Sequence, residues 1–150
     1  MPAPIGAEPM LLFDIAVSTP RDIGVVGGRQ RRLVPITGGA VTGRFEAEVL
    51  PGGDWQDIEP DGTLQIDASY ILQAKTGLVE VRSEGLRAGP PDVLAKLMRG
   101  EPVPPSAYYF RTAMRFRTAA SDLAWLNHTL AIAVGERQAQ RVKLAVYQVL

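Results

Sequence analysis

Leu64-Gln65-Ile66-Asp67-Ala68-Ser69-Tyr70-Ile71-Leu72-Gln73 is the stretch on which the fold turns. Leu64, Ile66, Ala68, Tyr70 and Leu72 fall on one side of an extended chain, opposite Gln65, Asp67, Ser69 and Gln73. A period of two with one apolar face is the mark of a strand that covers a core on one side only. Asp61-Gly62 before it and Lys75-Thr76-Gly77 after it are turn signals, and residues 78–83 return as a second strand, so the unit is a hairpin.

The same pattern extends outward in both directions. Val41, Gly43, Phe45, Ala47 and Val49 alternate with Thr42, Arg44, Glu46 and Glu48, and Pro51-Gly52-Gly53-Asp54 reads as the turn that ends that strand. Phe110, Thr112, Met114 and Phe116 alternate with Tyr109, Arg111, Ala113 and Arg115. Residues 126–134 and 141–149 read as a final strand pair. Residues 10–18 are apolar on both faces, and Gly24, Gly27 and Gly28 mark a bend within 22–32. The pattern predicts one helix, residues 91–98, with Pro91 in its first turn, Asp92 at its positive end and Gly100 as its stop. Eight or nine strands and one short helix, without βαβ spacing, predict an all-β fold: an antiparallel barrel, closed or nearly so, of general lipocalin or allene-oxide-cyclase shape. Residues 1–150 read as a single domain, with 1–8 as a flexible leader. Phe45, Ile66, Phe110, Met114, Ile132 and Leu144 are expected in one core.

Composition removes several functions. Sixteen basic residues balance sixteen acidic ones, so no broad positive field for nucleic acid exists. No cysteine is present, which removes disulfides, thiolate catalysis and zinc–thiolate sites. One histidine, His128, does not make a multi-histidine metal site; on an apolar strand it reads as a structural or surface residue rather than a general base. No metal or cofactor is expected. No apolar run spans a membrane and no signal peptide is evident, so a cytoplasmic location is expected. Phosphate-binding, dinucleotide and nucleophile-elbow motifs are lacking, and Gly38-Gly39 and Gly52-Gly53 read as turn glycines.

The residues rich in binding chemistry are Arg29, Asp54, Trp55, Gln56, Tyr70, Arg111, Trp125 and Asn127, with Asp67 and Tyr109 as candidates to move a proton. Asp54-Trp55-Gln56 is expected in a loop, with the indole plugging the core or walling a pocket. Tyr70 lies on the apolar face, so its hydroxyl needs a partner if buried. Parity puts Tyr109 and Arg111 opposite Phe110, toward a rim or interface, unless a distortion after Pro104-Pro105 turns them inward to meet Asp67. A single concavity drawing in Arg29, Trp55, Asp67, Tyr109, Arg111 and Asn127 is the expected site.

Several phrases resemble one family. Gly27-Gly28-Arg29, Val34-Pro35-Ile36-Thr37-Gly38-Gly39 and Val49-Leu50-Pro51-Gly52-Gly53-Asp54-Trp55-Gln56 are similar to segments of DUF3237, also called UPF0311. So are Ile66-Asp67-Ala68-Ser69-Tyr70, Tyr108-Tyr109-Phe110-Arg111-Thr112, Trp125-Leu126-Asn127 and Val146-Tyr147. The resemblance runs from about residue 10 to the end. It implies a bacterial-type β-barrel and no defined activity. Ser69 stands where the family pattern carries arginine, which implies a different ligand or a weaker activity if that arginine contacts an anion.

Two functions are in view. One is a cofactor-independent isomerase, cyclase or lyase working by acid–base chemistry on an organic acid or aromatic-derived metabolite. The other is a non-catalytic ligand carrier or oligomerisation module. The doubly apolar first strand predicts a homodimer.

Overall fold

The computed structural model describes residues 3–150. Among the described residues are ten strands: β1 (Ala7–Val17), β2 (Arg21–Val26), β3 (Arg29–Gly43), β4 (Ala47–Val49), β5 (Gly52–Ile58), β6 (Leu64–Ala74), β7 (Leu78–Ala88), β8 (Tyr109–Thr118), β9 (Ala131–Arg137) and β10 (Arg141–Val149). The helix α1 (Pro91–Met98) lies where it is expected, and two 3-10 segments, Pro105–Ala107 and Ser121–His128, are additional. All pairings are antiparallel in the order β1-β10-β9-β8-β7-β6-β4-β3-β2. Pairing of β1 with β3 closes the barrel, β5 continues the position of β4 between β3 and β6, and β2 extends beyond β3. Closure pairs the strands of the wall on both sides, while β2, at the end of the order, keeps one edge open.

The lumen is filled from the inward series. Leu11, Phe13 and Ile15 of β1, Leu64 to Leu72 of β6, and Phe110, Met114 and Phe116 of β8 are all buried. Tyr109 is 53% exposed, so the parity read from the sequence holds and no distortion turns it inward. One core expectation fails. Ile132 is 40% exposed, because β9 begins at Ala131 and directs Ala131 and Ala133 inward instead.

Four further departures have local causes. The strand expected through residues 41–49 breaks after Gly43, whose φ of 121° and close approach to the Met10 carbonyl suit glycine alone. Phe45 is therefore only partly buried, its ring edge-on to Trp125. Gly52-Gly53 opens β5 rather than a loop; a Cβ on Gly52 would sit 2.6 Å from the Ser69 carbonyl and from Tyr70 Cβ, so these glycines let two strands close up. Residues 126–128 are helical, not extended: Leu123 and Leu126 are buried at a spacing of three, and Asn127 clips the end of β8 through both Thr118 N (2.8 Å) and Thr118 O (2.9 Å). His128 thus sits exposed at the end of a 3-10 segment. Finally, Ala7 and Glu8 are paired in β1 with Val149 and Gln148, which shortens the expected leader; its first two residues lie outside the described ones.

The two barrel ends differ. The 3-10 segment Ser121–His128 plugs one with Leu123 and Leu126. At the other, α1 forms a strap. Leu94 Cδ1 lies 3.2 Å from where a Cβ of Gly62 would be, in the β5–β6 turn, and Gly100 approaches Ala139 in the β9–β10 turn. Leu94 and Leu97 turn the apolar side of α1 inward. Among the described residues no helix is long and apolar enough to cross a membrane.

Candidate active site

Beneath the strap lies a cavity whose walls are mainly Ile15, Val17, Val34, Ile36, Ile66, Phe110 and Leu144. Its accessible volume is about 50 Å³, room for a few water-sized groups. Outside it, between α1 and the β1–β2 connection, a polar vestibule of about 290 Å³ shares Arg87 and Arg137 with the inner chamber.

Strand parity delivers the polar groups of this site. Arg32 precedes Val34 and Ile36 on the inward side of β3. Asp54 and Gln56 face in from β5, Tyr70 from β6, Ser83 and Arg87 from β7, Thr112 from β8 and Arg137 from β9. A relay fixes the carboxylate: Arg32 Nε donates to Gln56 Oε1 (2.8 Å), and Gln56 Nε2 donates to Asp54 Oδ2 (2.6 Å). The Asp67 backbone N–H donates to Asp54 Oδ1 (3.1 Å). Each Asp54 oxygen keeps a second lone pair for a ligand. Burial pushes the Asp54 carboxyl up to about 6, against the opposing pull of its hydrogen bonds and Arg32. That value suits a group exchanging protons near neutrality.

Tyr70 lies diagonally across from Asp54, since Asp54 pairs with Ala68. It is 4% exposed, its hydroxyl has no hydrogen-bond partner, and its ring is held edge-on by Phe13 at 6.3 Å. Burial first, and the Asp54 charge second, hold the phenol far above its ordinary range, so it donates and does not ionise. A buried hydroxyl without a partner costs about 1–3 kcal/mol. Tyr70→Phe is accordingly expected to raise the urea midpoint, a gain of about 1 kcal/mol, while weakening any ligand that accepts from the hydroxyl. A lowered midpoint would mean that the hydroxyl is satisfied in solution. Deeper still, Ser83 Oγ donates to Thr112 Oγ1 (2.8 Å).

Of the residues anticipated from sequence, Asp54, Gln56 and Tyr70 reach this cavity. The others do not, and the single concavity expected for them is not formed. Trp55 faces outward from β5, neither plug nor lumen wall, with Arg31 stacked over its ring at 4.9 Å; Arg29 is beside it on the outer wall, paired with Glu59 at 3.3 Å. Asp67 is outward on β6 and bonded to Arg82 at 3.2 Å, not to Arg111. Arg111 lies over the exposed Tyr109 ring at 4.9 Å and donates to the Phe110 carbonyl at 2.9 Å. Trp125 and Asn127 belong to the plug at the far end. Alternation explains those on strands, each of which stands one residue away from an inward position, whereas Trp125 and Asn127 follow the 3-10 segment. Arg32, Arg87 and Arg137 were missed, although the same alternation carries them inward.

Among the described residues no cluster of three or more His, Asp or Glu side chains could hold a metal. The model of a protein of unknown function, DUF3237, matches residues 5–149. A UPF0311 protein of Bradyrhizobium diazoefficiens is 40% identical over 139 residues, 91% of this chain and 88% of that protein. The crystal structure of a conserved protein of unknown function from Rhodopseudomonas palustris superposes over 100% of both chains with a TM-score of 0.93 and 36% identity. A β-barrel-like protein from Acinetobacter baumannii gives 0.86 and 32%, covering 100% of this chain and 99% of that one. A structure described as an enzyme from Penicillium herquei shares the fold at a TM-score of 0.74 and 19% identity, over 100% of this chain and 98% of that one. The chain belongs to the DUF3237, or UPF0311, family of β-barrel proteins.

Proposed function

We propose that the barrel binds a small oxygen-bearing metabolite and catalyses a proton transfer on it without a cofactor, in an isomerisation, cyclisation or elimination. The observation that carries this reading is the pairing of two unlike oxygens in one apolar chamber: Asp54, a carboxyl poised near pH 6, beside Tyr70, a hydroxyl that only donates. Groups whose environments push their proton affinities apart divide acid and base roles between them. Asp54 takes a proton from carbon next to a carbonyl; the electron pair moves onto the carbonyl oxygen, where the Tyr70 hydroxyl receives it. Asp54 then returns the proton at another atom. The strap and the apolar walls keep bulk water from the exchange.

The experiment uses solvent deuterium. Small ketones, oxo acids and phenolic compounds are incubated with the protein in D2O, and loss of each carbon-bound proton is followed by NMR. Catalysed exchange in at least one compound is expected. Compounds that bind and never exchange would overturn the reading and leave a ligand carrier.

The partner proposed for the outer wall is a second copy. Leu12, Ala145 and Val134 form one row across β1, β10 and β9, flanked by Tyr147 and Ile132, a more apolar outside than a barrel in water needs. Light scattering is expected to return twice 16.2 kDa. A mass of one chain from micromolar to millimolar concentration would remove this proposal.

A further inference from the structure

We infer that Arg87 and Arg137, where the chamber meets the vestibule, form a carboxylate subsite, so that the metabolite is an organic acid lying with its carboxylate at the mouth and its apolar body inside. The inference rests on the proton-transfer reading and names the class of substrate.

The ion pairs among the described residues use Arg29, Arg31, Arg44, Arg82, Arg99 and Arg141. Arg32, Arg87 and Arg137 take part in none of them, yet all three point at the same opening. Arg87 is the extreme case. It is 4% exposed, its Nε has no partner, and its Nη2 meets only the Met98 sulfur of the strap at 3.8 Å. Arg137 spends one Nη2 contact on the Ala139 carbonyl at 3.2 Å, and its backbone N–H donates to the Tyr108 hydroxyl at 2.9 Å. Burial, with the charges of Arg137 and Arg32, brings the Arg87 guanidinium down to about 10. A buried cation without a counterion is costly, and it persists where something else supplies the charge. Arg32 is occupied by Gln56, and although the Asp54 charge acts on all three guanidinium groups, it pairs with none of them, which leaves Arg87 and Arg137 for an incoming anion.

The shape of the opening selects the anion. Guanidinium forks match the flat edge of a carboxylate. A monoanion also sits more easily than a dianion beside the Asp54 carboxylate, which must ionise to act as a base. The inner chamber is small and apolar, so a short chain of a few carbons fits behind the carboxylate. Tyr70 then meets a second oxygen on that body, which the proton transfer requires.

The test titrates the full chain at pH 7.5 with butyrate and crotonate, their neutral amides, and inorganic phosphate. Affinity is read by calorimetry and the site by the arginine Nε–H resonances. The acids are expected to bind at least about tenfold tighter than the amides and to move the Arg87 and Arg137 resonances. Arg87→Met, whose thioether fills the space of the stem, is expected to remove that preference and leave amide binding unchanged; its fold is checked by the unchanged amide spectrum. Arg87→Lys keeps a charge without the fork and is expected to fall between. Equal binding of acids and amides, acid binding unaffected by Arg87→Met, or phosphate binding tighter than either acid would overturn the carboxylate subsite. The two readings separate cleanly. Exchange on neutral ketones without acid binding removes the subsite alone, whereas acid binding without any exchange removes proton transfer alone.

Discussion

Asp54→Asn is expected to lower the rate of catalysed deuterium exchange by about 10²–10⁴-fold, the usual contribution of a positioned general base. The expectation follows from what asparagine keeps and loses. Its side-chain oxygen can still accept from the Asp67 backbone N–H, so the strand pairing around residue 54 survives. It cannot take a proton. Burial sets the pH dependence as well. Because the carboxyl is held at about 6, the wild-type rate should climb with pH through that value and level off above it, and the variant should show no such limb. Stability moves the opposite way. A carboxyl whose folded-state value is raised binds its proton more tightly when folded. Ionised Asp54 therefore costs stability above pH 6, and the cost fades as pH falls through 6 toward the ordinary value of 3.8. A variant that exchanges at the wild-type rate, or keeps the limb near pH 6, would assign the base elsewhere.

Much of the barrel was legible, because its dominant signal is a period of two and that signal is strong where one face is dry. Residues 64–73 and 109–118 show it, and their inward series match the buried positions of β6 and β8. The site was less legible for a physical reason. Arginines are rarely buried, so a reader ranks Arg29 and Arg111 by their aromatic neighbours and passes over Arg87. Yet Arg87 continues the series Val79, Val81, Ser83 and Gly85, and Arg137 continues Ala131, Ala133 and Gly135. Followed to the strand ends, parity alone puts both inside. The two tryptophans misdirected the reading in the same way: aromatic rings near turns look like pocket walls, while here one stacks under Arg31 outside and the other helps seal the closed end. What alternation does not contain is the break after Gly43 and the helical 121–128 segment, since both depend on contacts with distant strands.

Phe110→Ala is expected to cost about 3–5 kcal/mol of folding stability, the range for removing a buried phenylalanine. Phe110 is 6% exposed and lines the chamber, so its loss opens a void rather than a surface dent. The partner in this contact is a glycine. The ring lies against Gly135 of the neighbouring strand, so close that a Cβ there would come within 2.7 Å of three ring carbons. Gly135→Ala should then cost about 1–3 kcal/mol by itself, since an aromatic ring packed on all sides cannot swing away as a flexible chain end would. The two changes are expected to compensate. With the ring gone, the new methyl occupies part of the space it left, and the strand loses a conformationally free residue. The double variant should therefore be at least about 1 kcal/mol more stable than the sum of the single losses predicts, as read from urea denaturation of all four proteins. Strict additivity would mean that ring and glycine do not share the space, and the packing account of the chamber floor would fall with it.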